Sequence, residues 1–420
     1  MKMAGLSLAR VLHPAGRMEC LLAPLRKPPV HEPVMAPRNR SLQLPQFIQS
    51  LLLFPFSLAG RLFFLAIGRS ARLTPINVER IVFIKLDHIG DAVMASPILR
   101  ALKDWAPAAD ITVIARPQSA EYFRLLPGVS RVVTADVPWI RPDSSSLANF
   151  RACLALARTI RSGHYDLAVD LRYHNRLDSL LLSMCGARWR LGFDIGHLGF
   201  GLTHRARMPR TGHEVEKMAG ALKGAGIPVK ALDTLFPVSP AAARASAKKL
   251  GTSRGRKLVA FHPGAGNAIK RWMPERFSAV AQELVQRSGV QVVLLGGPGE
   301  RELGSSIASA VGRKNLVDLR GKLSLSEMAG VLSRCRLFVG NDGGPAHVAG
   351  AVGTPSLIVF SGTSVAADWA PRGKRVQIIE KWVPCKPCYS TTCPYGQGCL
   401  RKVGVEEVVT LAGKLLSGKW

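Results

Sequence analysis

The amino-acid sequence predicts an α/β protein made of two doubly wound parallel-sheet domains that face a cleft. Three observations carry this. The chain has 420 residues, more than one hydrophobic core ordinarily serves. From Arg80 onward short β-branched runs alternate with longer helical stretches, the pattern of parallel strands covered by crossover helices. A separator at 238–257, with Pro240, a run of alanines and the polar tract Gly251–Lys257, divides these runs into two sets.

Taken in order, the first 46 residues are rich in Pro and Arg, lack periodicity and are not expected to join a fold. Residues 47–68 read FIQSLLLFPFSLAGRLFFLAIG, with 15 of 22 positions apolar. Pro55, Gly60 and Arg61 argue against a full membrane span, since an arginine at the bilayer centre costs about 3 kcal/mol on insertion scales. The expectation is a helix lying in the membrane interface, within a basic extension covering 1–78; a span, or packing against the protein, are the competing readings. The first domain, 79–240, offers strands at Ile81–Leu86, Ile111–Ala115, Arg131–Val133 and Leu167–Asp170. The second, 255–420, offers Leu258–His262, Gln291–Leu295, Leu337–Val339 and Ser356–Phe360.

Lys and Arg number 57 against 28 Asp and Glu, a formal net charge of +29 that favours nucleic acid, anionic lipid or phosphorylated substrates. The excess is +8 over residues 1–78, +6 over 79–240 and +15 over 241–420. A nucleic-acid binder concentrates charge in tails or pairs it with stacking aromatics; aromatics are only 6% here, and that class recedes. A hydrophobic fraction of 47% excludes a mostly disordered chain. Of eight cysteines, four fall in one 15-residue stretch, unlike the framework of a small secreted domain, and a reducing compartment is expected. Arg10 and Arg17 interrupt the early apolar residues, so no signal peptide is expected.

Four motifs carry chemistry. In IVFIKLDHIGDAVMASPILRAL a strand ends near Leu86 and a turn delivers Asp87, His88 and Asp91 to the carboxyl edge of the sheet, where ligands of open α/β sheets bind. A carboxylate there can take a proton from a hydroxyl nucleophile, or merely cap the helix. In LVAFHPGAGNAIKRWMPERF the loop glycines Gly264 and Gly266 let backbone N–H groups approach a phosphate that Lys270 or Arg271 would neutralise; a solvated basic loop is the plainer alternative, with Trp272 its odd member. In RLFVGNDGGPAHVAGAVGT a strand feeds Asp342-Gly343-Gly344, and Pro345 starts a helix carrying His347, so a diphosphate could rest on the helix N-terminus. Gly296-Gly297-Pro298-Gly299-Glu300 follows another strand and either lines the same pocket or simply turns the chain. Finally, Cys385, Cys388, Cys393 and Cys399 have a spacing that suits structural zinc, an iron–sulfur cluster or a disulfide.

These motifs, in this order from about Arg80 to about Val408, resemble glycosyltransferase family 9, the bacterial lipopolysaccharide heptosyltransferases. The resemblance rests on KLDHIGDAVMASPILRALK, YDLAVDLR with GARWRLGF, HPGAGNAIKRWMPERF, VLLGGPGE, the long run through FVGNDGGPAHVAGAVGTPSLIVF, and CKPCYSTTCPYGQGC. It implies a GT-B fold of two Rossmann-like domains, the first on the acceptor side and the second binding the nucleotide-sugar. It also implies inverting transfer from ADP-heptose without a required metal. Asp91 matches the general base, Lys270 the donor-phosphate contact, and Asp342, Gly343, Gly344 and His347 the donor loop and helix start. Arg172, Arg176, Arg188 and Arg190 are the candidate contacts for an anionic lipid-linked acceptor, and the donor diphosphate would account for the charge of the C-terminal half. The implied partners are a nucleotide-sugar, a lipid-linked saccharide and the cytoplasmic face of the inner membrane, and not nucleic acid.

Two features depart from the family's pattern. The residues before Glu79 are additional, and the donor motif has Gly343 where some members place a threonine, which leaves another nucleotide-sugar open. The competing classes are a nucleotide-sugar epimerase of the same fold and a non-enzymatic binder of anionic polymer.

Overall fold

The structure, a computed structural model, describes residues 73–138, 145–173, 176–195, 199–209, 211–251 and 255–418. The expected interfacial segment 47–68 and nearly all of the basic extension lie outside these residues.

The first domain is one six-stranded parallel sheet. Its strands are β1 (Arg80–Lys85), β2 (Asp110–Ala115), β3 (Val129–Thr134), β4 (Leu167–Asp170), β5 (Trp189–Phe193) and β6 (His204–Ala206), in the order β3-β2-β1-β4-β5-β6. The central strands are buried along almost their whole length because helices cover both faces: Val82 and Ile84 pack with helix Ser146–Ser162, and Ile81 and Phe83 with Ile98, Leu102 and Met218. The second domain repeats the plan with β7 (Leu258–His262), β8 (Gln291–Leu294), β9 (Leu316–Asp318), β10 (Leu337–Asn341), β11 (Ser356–Phe360) and β12 (Val376–Glu380), ordered β12-β11-β10-β7-β8-β9. Both orders reverse beside the first strand of the domain, so each sheet has a switch point at the carboxyl ends of its central strands, where a ligand crevice opens.

All eight expected strands are present, within two residues at each end. Four were not expected. Trp189–Phe193 contains no β-branched residue, His204–Ala206 and Leu316–Asp318 are three residues long, and Val376–Glu380 is an edge strand with only one of its five residues buried. The separator is also not a plain linker. Ser239 Oγ accepts the N–H of Ala242 and caps helix Pro240–Leu250, which lies against Gly330 in helix Leu325–Leu332 of the second domain. The extended stretch before it, from about residue 227, makes the crossing.

The two domains are joined across the cleft by specific polar contacts. Glu121, on helix Pro117–Leu125, accepts the N–H groups of Leu325 and Ser326, both at 3.1 Å, and so lends a carboxylate to the N-terminus of helix Leu325–Leu332. His213 Nδ1 accepts the N–H of Val215 at 3.2 Å while its Nε2 lies 2.8 Å from the carbonyl of Ala370, which assigns the proton to Nε2. Arg372 pairs with Glu216. Closest of all, Gly90 faces His347: a Cβ at Gly90 would stand 2.8 Å from the imidazole, so glycine is what lets helix Ile89–Met94 meet helix Gly344–Ala351.

Candidate active site

The turn after β1 brings Asp91 into the first turn of helix Ile89–Met94, which has His88 at its N-cap. As the third residue of that helix Asp91 accepts the backbone N–H of the N-cap residue His88 and so caps the helix; burial nevertheless raises its pKa to about 7, reinforced by the Asp87 and Glu214 carboxylates and opposed by Lys85 and by that hydrogen bond. Lys85 is itself buried and pairs with Asp87 at 2.8 Å. A carboxylate poised near neutrality at the edge of a cleft has the protonation behaviour of a general base. Behind it, Glu214 bridges Tyr173 and Lys217, the latter at 2.7 Å, and Lys217 reaches Asp368 of the second domain at 3.6 Å. Glu214, Lys85 and Tyr173 were not singled out from sequence: Tyr173 and Glu214 meet across 41 residues, and Lys85 sits at the end of the apolar run of β1.

Across the cleft, Lys270 Nζ lies 2.6 Å from Asp342 Oδ2, with Lys270 partly exposed and Asp342 buried. Lys270 is close enough to His88 and His347 to help depress both, although burial is the larger cause for each. His347 is thereby brought to about 4 and is neutral at pH 7; it meets the cleft as a packed imidazole and not as a cation. Gly343 is extended, and a Cβ added there would meet nothing within 4 Å, so there is room beside the start of helix Gly344–Ala351, whose Gly344 packs against Ile89. Asn341 stitches the two donor-side loops: its Oδ1 accepts the N–H of Trp272 at 2.9 Å, and its Nδ2 donates to Pro263 at 2.8 Å and Gly264 at 3.2 Å. Arg271 donates to the carbonyl of Ala265 and closes the loop. Trp272 turns away from these charges into the core, edge-on to Phe277.

Glu300 lies against the Gly264 loop. Its carboxylate accepts the N–H of Gly297 at 2.8 Å and lies 3.2 Å from His262 Nε2; the His262 contact is the main cause that holds it down at about 2, fully ionised. It lies directly over Gly264, where any side chain would collide with it. Gly264→Ala should therefore displace Glu300 and raise the KM for the donor about 10- to 100-fold, the worth of one or two hydrogen bonds to a charged group, with kcat less affected. Steady-state kinetics with varied donor reads this directly.

The acceptor-side arginines divide. Arg176 opens helix Arg176–Met184 beyond the carboxyl end of β4, on the cleft side. Arg172 is buried: it donates to both oxygens of Asp170, at 3.0 and 2.6 Å, and pairs with Asp178 at 2.9 Å, so it anchors the β4 loop instead of meeting an acceptor. Arg190 is buried on β5 with its guanidinium on the carbonyls of Gly201 and Ala187. Arg188 precedes β5, at the amino edge opposite the cleft, stacked over Trp189 at 4.6 Å. Arg172→Ala should destabilise the fold by about 3–5 kcal/mol, because two buried carboxylates lose their cation; chemical denaturation measures it.

The cysteine segment lies beside the donor loops. Cys388 N–H donates to Gly362, Tyr389 N–H to Thr363, and the Gln397 side chain to Ala268. Among the described residues no three His, Cys, Asp or Glu side chains are gathered to hold a metal ion, and Cys385, Cys388, Cys393 and Cys399 are free thiols. Burial raises the thiol pKa of Cys385, and Cys388, Cys399 and Cys393 lie close enough to reinforce the rise.

Two Rossmann-like domains facing a cleft make a GT-B fold, with Asp91 on one side and Lys270 and the start of helix Gly344–Ala351 on the other. The model of glycosyltransferase family 9 (heptosyltransferase) matches residues 153–398, and the chain belongs to that family. Lipopolysaccharide heptosyltransferase 3 of Escherichia coli strain K12 is 27% identical over 301 residues, covering 70% of this chain and 85% of that protein. Among solved structures, a family 9 glycosyl transferase from Veillonella parvula has a TM-score of 0.69 at 22% identity, covering 83% of this chain and 100% of that one. The E. coli ADP-heptose lipopolysaccharide heptosyltransferase II has a TM-score of 0.66 at 21% identity, covering 81% and 99%.

Proposed function

We propose that this enzyme transfers a heptose from ADP-heptose, with inversion at the anomeric carbon, to a lipopolysaccharide core or related lipid-linked acceptor. The observation that carries the reading is the juxtaposition of Asp91 with Lys270 and the N-terminus of helix Gly344–Ala351 across one cleft, held by the contact of Gly90 with His347. The names of the similar E. coli proteins supply the donor and acceptor class.

In this scheme the acceptor hydroxyl attacks the anomeric carbon as Asp91 takes its proton, and the bond from that carbon to the diphosphate oxygen breaks. Negative charge growing on the departing ADP falls on Lys270 and the N–H groups beyond Gly343, which are already in place. Glu300, ionised and beside the glycine loop, is placed to accept hydrogen bonds from hydroxyls of the nucleoside. These groups supply the charge compensation, so turnover should need no metal ion and survive chelator. Because the acceptor is a lipid, the enzyme works at the cytoplasmic face of the inner membrane as a peripheral protein. No helix among the described residues is long and apolar enough to cross a membrane. Mass spectrometry of lipopolysaccharide from a deletion strain tests the reading: a core lacking one heptose and every sugar attached beyond it is expected, and an unchanged core contradicts it.

A further inference from the structure

The basic excess of the second domain does not collect at the donor site. Lys257 immediately precedes β7 and Arg336 immediately precedes β10, two strands paired side by side, and Arg334 lies two residues earlier. These residues therefore stand at the amino edge of the sheet, the end opposite the cleft. They line two adjoining cavities of about 380 and 430 Å³ that share Lys257, Arg334 and Arg336; Arg256 completes the first and Arg375 the second. Among the described residues, no Asp or Glu lines either cavity.

Elsewhere in this domain the acidic residues are spent on other cations: Glu327 on Lys249, Asp318 on Arg320, Glu283 and Glu406 on Arg287, Glu407 on Lys381 and Glu380 on Lys386. Arg256, Lys257, Arg334 and Arg336 form no ion pair among the described residues. Arg256 is held instead by Asn315 and the carbonyl of Lys314, and Arg334 by the carbonyl of Ala243, contacts that aim the guanidinium groups without neutralising them. Like charges gathered around a concave surface repel one another and raise the local concentration of anions, and guanidinium forks match phosphate oxygens in bidentate geometry.

We propose that these cavities form a second anion site, distinct from the donor pocket, that takes a multivalent phosphate group. The inference stands apart from the assignment of donor and acceptor. The phosphate comes either from a soluble phosphorylated compound or from phospholipid headgroups, and two probes separate the sources.

The test uses full-length protein, wild type and Arg334→Gln/Arg336→Gln, with Lys257→Gln as a second, milder variant. Calorimetric titration with sodium tripolyphosphate reads the soluble source; it is repeated in a Lys270→Ala background so that the cleft is not what is measured. Sedimentation with phosphatidylglycerol against phosphatidylcholine vesicles reads the lipid source. At least a tenfold weakening in the double variant, and a smaller one in Lys257→Gln, is expected with one probe, and which probe responds names the source. Melting by circular dichroism should show the double variant folded and, in low salt without phosphate, at least as stable as wild type, since repulsion is relieved. Wild-type affinity for both probes in both variants, or no binding of either probe by the wild type, overturns the proposal.

Discussion

Asp91→Asn should lower kcat by about 10²- to 10⁴-fold, the usual worth of a positioned general base, while donor affinity stays within a few-fold of wild type. The wild-type enzyme should show kcat/KM rising with pH through an apparent pKa of about 7, because only ionised Asp91 accepts the acceptor proton. The same group makes an opposite prediction for stability. Its folded-state pKa is raised above the unfolded value of 3.8, so the folded protein holds the proton more tightly and loses stability as pH climbs from about 4 to about 7, the loss being complete above that. Asn carries no charge to bury. The melting temperature of Asp91→Asn should therefore exceed that of wild type, with a gap that widens between pH 5 and pH 8. A variant that loses turnover and also loses stability at pH 8 would mark Asp91 as a structural carboxylate.

Lys270→Ala should lower kcat/KM by about 10²- to 10³-fold, as removal of one pre-placed charge-stabilising group does. Its partner complicates the reading, since Asp342 is buried and pairs with Lys270 at 2.6 Å, so the single variant also leaves a carboxylate without its cation. Lys270→Ala/Asp342→Asn separates the two effects. The double variant should recover the melting temperature without recovering turnover. Recovery of both would reduce Lys270 to a partner for Asp342, with no part in holding the donor.

Much of this site was legible in the sequence because each half is local. The base lies six residues past a strand, and the anion site is a strand, two glycines and a proline-started helix, patterns that need no tertiary knowledge. Central strands were legible for a related reason, being continuous apolar runs buried on both faces. Peripheral strands such as His204–Ala206 pair on one side only and need no such run. The arginines show what one dimension hides. Arg172, Arg188 and Arg190 lie close in sequence to the acceptor-side loops, but which edge of the sheet a residue meets depends on whether it precedes or follows its strand. Strand β5 was not foreseen, and Arg188 proved to be on the far edge. Glu214 was hidden likewise, its link to Asp91 coming at long range, and Glu300, though visible after its glycine-rich turn, gave no sign of its pairing with His262. A donor diphosphate explains only part of the C-terminal charge; much of it stands at the opposite edge of the same sheet.

The most direct test of heptosyl transfer is release of ADP from ADP-heptose by purified protein, measured with and without a heptose-deficient core lipid. ADP should appear only when acceptor is present, in equal amount to an acceptor one heptose heavier. Conversion of the donor without acceptor, or no turnover with any heptose-deficient core, would contradict the account.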